Sequence, residues 1–322
     1  MKKSEICFVY FNDAGMWRPS DLAGHFEDMK SVGGESIFTN FLEGSPDGLA
    51  FRTRLAHAAG LKVYASPGRI AGLFAAGPRP SSMFPVRRPD TLMRDIKGQP
   101  VLATSGLVCC VNNPGFQEWF FPHIAEILQK TGVDGVVFDE PKEAHMACYC
   151  EYCRALAGDD AAALVALHEK ALAETMGRVA GEFKAFRPGG AGLVMLMPNA
   201  TENFIKEVCR QPAIDCVGVD GPLCLQNSRP VTPPHQKTYI LESAPPFFKL
   251  IRAAGKQTFA LAETFGVYAW ALDELRRNIG KFAELGADVA AFNYYGHDSD
   301  DPEAVMEVVR EAARLVRDRG TE

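Results

Sequence analysis

Short apolar runs and amphipathic stretches alternate from one end of the chain to the other. The apolar runs stand at Ile6–Phe11, Ser36–Phe41, Lys62–Ser66, Gly135–Asp139, Gly192–Met197, Cys216–Val219, Thr258–Ala262 and Val289–Asn293. Each is short and almost continuously apolar, as a parallel strand covered on both faces must be. In Phe116–Lys130 the residues Phe116, Phe120, Ile124 and Leu128 recur at four-residue spacing, the mark of a helix with one buried stripe. Further helices are predicted over Pro19–Val32, Asp160–Phe186, Glu202–Arg210, Phe247–Ala254, Asp273–Leu285 and Asp301–Asp318. The segments HAAGLKV, KTGVDGV, RAAGKQT and AELGADV share one logic. A helix closes on glycine in the left-handed cap, and a strand begins two or three residues later.

Eight such units of about forty residues each predict one (β/α)8 TIM barrel spanning residues 1–322 as a single domain. A doubly wound open sheet is the rival, but YFNDAGMW after the first run is not the G-x-G-x-x-G of a phosphate loop. Residues 67–114 break the alternation, being rich in Pro, Gly and Arg without helical period. So long an insertion after strand three is expected to form a lid or rim of a site.

Composition narrows the function classes. A net charge of −6 with no basic run argues against nucleic-acid and anionic-membrane partners. No stretch of 18 apolar residues is present, and in MKKSEICFVYF the glutamate at position 5 interrupts any signal-peptide core. The expectation is a cytoplasmic protein, and an odd count of nine cysteines fits reduced thiols there.

In a (β/α)8 barrel, chemistry collects at the C-terminal strand ends. Those positions carry Tyr10, Asn12, Asp13, Asn40, Glu43, Ser66, Arg69, Asp139, Glu140, Asn199, Asp220, Glu263, Asn293, Tyr294 and Tyr295. Acids after strands four, six and seven exceed what a solvated rim requires. The run KTGVDGVVFDEP, preceded by CVNNPGFQEW, resembles the segment leading into the fourth strand of glycoside hydrolase-like TIM barrels, as AHAAGLKVYA resembles their entry to strand three. The resemblance covers about residues 5–300 and implies a glycosidase acting on a small glycoside or oligosaccharide.

The resemblance also implies roles. In the large retaining clan of such barrels the acid/base glutamate follows strand four and the nucleophile follows strand seven, positions matched here by Glu140 and Glu263. A separation of about 5–5.5 Å between the two carboxyls gives retention and about 6.5–9.5 Å gives inversion. Where the clan places Asn before the strand-four glutamate, this chain has Asp139. A second assignment therefore stays open, with Asp139 as nucleophile and Asp220 as acid. The substrate-binding candidates are Tyr10, Asn12, Asn40, Arg69, Asn199, Asp220, Asn293 and Tyr294. Trp17, Tyr268, Trp270 and Tyr295 add aromatic faces suited to sugar rings.

Beyond the acids, Cys148, Cys150 and Cys153 form C-x-C-x2-C. Thiolates so spaced can hold one tetrahedral Zn²⁺, with His145 or Cys110 as fourth ligand. Four N/S ligands leave no open position for water, so the expected metal is structural and braces the loop. Two other functions compete with hydrolysis: a non-catalytic carbohydrate-binding barrel, and a metal-dependent lyase or isomerase acting on a sugar acid.

Overall fold

The computed structural model describes residues 4–10, 18–41, 46–75, 82–142, 144–226, 239–296 and 298–319. Eight parallel strands close into a barrel: β1 (Glu5–Val9), β2 (Ser36–Asn40), β3 (Lys62–Ser66), β4 (Gly135–Asp139), β5 (Ala191–Leu196), β6 (Cys216–Pro222), β7 (Gln257–Glu263) and β8 (Val289–Asn293). Each pairs with its sequence neighbours, and β8 returns to β1 with Val9 opposite Asn293. Helices α1 (Pro19–Ser31), α2 (Pro46–Ala58), α3 (Pro114–Thr131), α4 (Ala161–Phe186), α5 (Glu202–Cys209), α6 (Ile240–Ala253), α7 (Leu272–Glu284) and α8 (Pro302–Arg319) surround it. The predicted (β/α)8 barrel is the fold.

Alternation along the strands divides the core in two. Cys7, Val9, Phe38, Tyr64, Val137, Leu193, Met195, Cys216, Phe259, Leu261, Val289 and Ala291 fill the lumen. Their neighbours, such as Phe8, Ile37, Val136, Phe138 and Phe292, pack outward under the helices.

Several boundaries differ from the sequence expectation. Strands β6 and β7 pair over seven residues, from Cys216 opposite Gln257 to Pro222 opposite Glu263, so Asp220 and Glu263 lie within strands rather than after them. Helix α2 carries little helical periodicity and was not predicted by spacing; Leu49, Thr53 and Ala56 bury it. Helix α6 begins at Ile240, before Pro245 and Pro246, where the sequence reading starts it at Phe247. Each proline removes one intrahelical bond, but burial of Ile240, Ala244, Phe247, Phe248 and Ile251 carries the helix through them.

The described residues of the insertion after β3 are folded. They hold a short helix, Phe84–Arg87, and a two-residue hairpin, Leu102–Ala103 against Gly106–Leu107. Strand β3 pairs with β4 only through Tyr64–Gly135 and Ala65–Val136. Above that short ladder the insertion lies along the end of β4: Ala75 N–H donates to Asp139 O at 2.8 Å and Lys142 N–H to Leu73 O at 2.7 Å. Its other side is tied by Cys109 N–H to Ala71 O and by Ser105 Oγ to Gly72 O. Gly72 has φ of 72° and lies against the Leu107 carbonyl, so a Cβ there is excluded on both counts.

Candidate active site

Parity decides which strand-end groups face the lumen. On β4, Val137 belongs to the inner cluster, so Asp139, two residues on, shares its side. On β6, Asp220 shares the side of Cys216; on β7, Glu263 shares that of Phe259 and Leu261; on β8, Asn293 follows Val289 and Ala291. On β2, Asn40 follows Phe38. The C-terminal mouth is thus lined by Asn40, Asp139, Asp220, Glu263 and Asn293, all buried. Among the described residues neither amide atom of Asn40 has a hydrogen-bond partner. A buried amide left so is suited to the hydroxyl of a ligand.

Glu140 departs from the alternation. Its φ is +40°, a left-handed conformation that side chains with a Cβ rarely adopt. Two bonds hold the bend: Glu140 N–H donates to Met195 O on β5, and Lys142 N–H reaches Leu73 O. Pro141 lies between them, and the turn brings Lys142 Nζ to 2.5 Å from Glu140 Oε2. Both side chains are about nine-tenths buried, at 11% and 10% exposure. Lys142 also touches Met197 Sδ at 3.9 Å. The sequence reading missed Lys142. Its signal was the DEPK run, where a proline turn returns the second residue onward to the acid.

The predicted sugar contacts divide. Tyr10 and Tyr294 face outward: Tyr10 Oη meets His25 at 2.7 Å and Tyr294 Oη donates to Asp28 at 3.0 Å, both partners on α1. Each falls on the parity of Phe8 and Phe292, and burial raises both phenols above the ordinary tyrosine value. They lock α1 over the β1–β8 seam and do not line the mouth. Asn199 is exposed in the turn after β5. Asn293 Oδ1 accepts from Thr264 N–H and so fixes the end of β7. Arg69 is half-buried and donates to Thr104 O in the insertion. Tyr268 and Trp270, after β7, stack at 5.1 Å with Trp270 exposed. Asn12, Asp13, Trp17 and Glu43 lie outside the described residues.

On the far side of the insertion, Cys110, Cys148, Cys150 and Cys153 bring their sulfurs within 4.8 Å of one another, all buried. Cys110 is the fourth member; His145, the alternative, is exposed and stands outside the group. The contacts Cys110–Cys153 and Cys110–Cys150 are both 3.5 Å. Four thiolates at about 2.3 Å from one tetrahedral ion would have sulfurs about 3.8 Å apart, so the set fits such a metal. No disulfide is formed. Hydrogen bonds among the thiols, those with Cys110 first, pull Cys148 and Cys150 below the ordinary thiol value. Asn112 Nδ2 donates to Cys153 Sγ at 3.4 Å, the kind of outer bond that orients a thiolate ligand. Within electrostatic reach of Cys150, His168 on α4 is fully buried, and burial lowers its pKa to about 4, keeping the ring neutral.

No family model and no curated protein matches the chain. Solved structures do. The barrel is similar to a β-galactosidase from the haloarchaeon Halorubrum lacusprofundi, with TM-score 0.72 and 12% identity over 96% of this chain and 57% of that one. It is similar to a β-galactosidase from the psychrophilic Marinomonas ef1, with TM-score 0.66 and 14% identity over 97% of this chain and 61% of that one. The catalytic domain of a β-amylase from Paenibacillus polymyxa matches with TM-score 0.66 and 8% identity over 97% and 99%. These neighbours are glycoside hydrolases, and the likeness shows a shared (β/α)8 barrel fold. This chain spans about three fifths of the length of the two galactosidases.

Proposed function

We propose that the protein hydrolyses a glycosidic bond of a small glycoside or oligosaccharide with a pair of carboxylates at the barrel mouth. One observation carries this reading: Asp139, Glu140, Asp220 and Glu263, from three strands, are all buried at the C-terminal end of a closed (β/α)8 barrel. Such burial is costly for acids unless they have work or partners there. Glycosidic cleavage needs one carboxyl to protonate the leaving oxygen and one carboxylate to attack the anomeric carbon or activate water. Glu140 and Glu263 are the working pair that the sequence resemblance favours. Asn40 and Asn293 are placed to meet sugar hydroxyls, and the Tyr268–Trp270 stack offers an aromatic shelf at the rim.

Solved neighbours with sugar-like ligands support a carbohydrate substrate. They include an α-galactosidase from Geobacillus stearothermophilus in complex with 1-deoxygalactonojirimycin, and one from Thermus thermophilus in complex with p-nitrophenyl α-D-galactopyranoside. Strand parity favours a second assignment at the same site, with Asp139 as nucleophile and Asp220 as acid. For the cysteines, the reading is a structural Zn²⁺ held by Cys110, Cys148, Cys150 and Cys153, tying the insertion to the loop that carries Glu140.

A panel of aryl α- and β-glycosides tests the function. Turnover lost in Glu140→Gln and Glu263→Gln supports the first pair; loss in Asp139→Asn and Asp220→Asn alone supports the second. Sugar binding without turnover would point to a binding barrel. Activity abolished by chelation and restored by Mg²⁺ or Mn²⁺, with zinc retained, would point to a lyase or isomerase. Among the described residues no helix is long and apolar enough to cross a membrane, and a cytoplasmic location is part of this proposal.

A further inference from the structure

The turn Glu140-Pro141-Lys142 is anchored at both ends by backbone bonds, to β5 and to the insertion. Within it, a strained glutamate and a buried lysine meet at 2.5 Å. Strain in a non-glycine residue persists where surrounding structure over-determines it, and it concentrates at functional positions. An ammonium at this distance in a largely dry setting stabilises the carboxylate form of its partner over the carboxyl form. A proton donor at rest must be a carboxyl.

The geometry points to Lys142 as the positioning residue that keeps Glu140 ionised, so that Glu140 starts turnover as nucleophile or base and Glu263 as proton donor. This reverses the roles that the sequence resemblance implies, and it rests on the glycosidase reading of the same site. The leaving oxygen takes its proton from Glu263 as its bond to the anomeric carbon breaks. Glu140 supplies an electron pair, to that carbon in a retaining enzyme or to a water proton in an inverting one. In the retaining case, water then returns a proton to Glu263 and frees the Glu140 carboxylate. In the inverting case, the proton that Glu140 took passes to solvent while solvent reprotonates Glu263.

Among the described residues, other charged groups around the mouth are Asp139 on β4, Arg52 on α2, whose guanidinium donates to Asn40 O, Arg69 after β3, Asp220 on β6 and Glu263 on β7. Strand β5 contributes Met195, with Met197 just beyond its end, and neither carries charge. Lys142 Nζ is fixed on Glu140 Oε2 at 2.5 Å, and its removal should act there first.

Leaving groups separate the roles. A 2,4-dinitrophenolate departs without a proton, whereas a methoxyphenolate needs one. Glu140→Gln should lose on the order of 10³-fold in kcat/KM on both substrates, and Glu263→Gln mainly on the methoxyphenyl glycoside. The opposite pattern overturns the assignment. In the pH profile, Lys142→Met should move the acid limb of kcat/KM upward, and Lys142→Arg should restore it. Movement of the alkaline limb instead, or no movement, also overturns it. A readout independent of turnover is carboxyl-carbon NMR on protein labelled at glutamate. The resonance missing in Glu140→Gln should titrate below the ordinary glutamate range and move up in Lys142→Met. If no glycoside is turned over but this resonance behaves as stated, the glycosidase reading fails and the ion-pair assignment stands. If turnover is present and the resonance does not move, the reverse holds.

Discussion

The two ends of this barrel use the same residue type for opposite ends. At the base, an aspartate immediately precedes β4, β6 and β8. Asp134 accepts from Val63 N–H on β3 at 2.9 Å, Asp215 from Gly192 N–H on β5 at 2.9 Å, and Asp288 from Thr258 N–H on β7 at 2.9 Å. Each acid stitches an even strand to the odd one before it. Exposed or half-exposed partners complete the set, His57 and Arg187 on Asp134, Lys184 on Asp215 and Lys62 on Glu5, while the buried Tyr64 also donates to Glu5. At the mouth, Asp139, Asp220 and Glu263 sit on the inner parity and are buried, with one buried lysine on their neighbour Glu140. Under the proposed function, the strand end that an acid occupies, more than its identity, separates fastening from chemistry.

The largest effect expected of that division is catalytic. Glu263→Gln should cut kcat/KM on a methoxyphenyl glycoside by about 10³-fold or more with the melting temperature held within a few degrees, measured by initial rates and calorimetry. A large drop in Tm with activity spared would move Glu263 to the structural class. Next comes the cysteine cluster. Cys110→Ser should take bound zinc from about one per chain to near zero and lower Tm by about 5–10 °C, read by elemental analysis and melting. Zinc retained in full would remove the metal proposal.

At the base the expected loss is of stability alone. Asp288→Ala leaves the Thr258 N–H without its acceptor and should cost about 1–3 kcal/mol in denaturant melts, with kcat/KM unchanged. An equal loss of activity would blur the distinction between the ends. The smallest effect is acid lability. Burial works to raise the pKa of Asp134, but hydrogen bonds from His57, the Val63 N–H and Arg187 outweigh it and hold the carboxyl below its usual value. A depressed aspartate contributes stability above its unfolded pKa and loses it as pH falls through the folded one. The wild type should therefore lose stability more steeply below about pH 4 than Asp134→Asn does. Parallel curves for the two proteins would contradict this.

Much of the frame was legible from local pattern. Glycine caps and buried runs marked all eight strands, and Asp139, Glu140, Asp220 and Glu263 were picked out because they end such runs. The misses have physical causes. Tyr10 and Tyr294 end strands as well, but they fall on the outer parity and spend their hydroxyls on α1. His145 is near the three cysteines in sequence, yet the insertion delivers Cys110 from before α3. Lys142 meets Glu140 through a positive-φ bend that spacing does not encode. Helix α2 lacks the periodicity that would reveal its length, and only its closing glycine, in HAAGLKV, marked it.

The sequence by itself determined the alternation of strands and helices, because period, caps and burial are local properties repeated in every unit. It also determined which residue types stand at the strand ends. Only the tertiary structure decided which of them share the lumen, which cysteine completes the cluster, and that Glu140 meets a lysine. Those are matters of parity, register and chain reversal between segments distant in sequence, and no local window contains them.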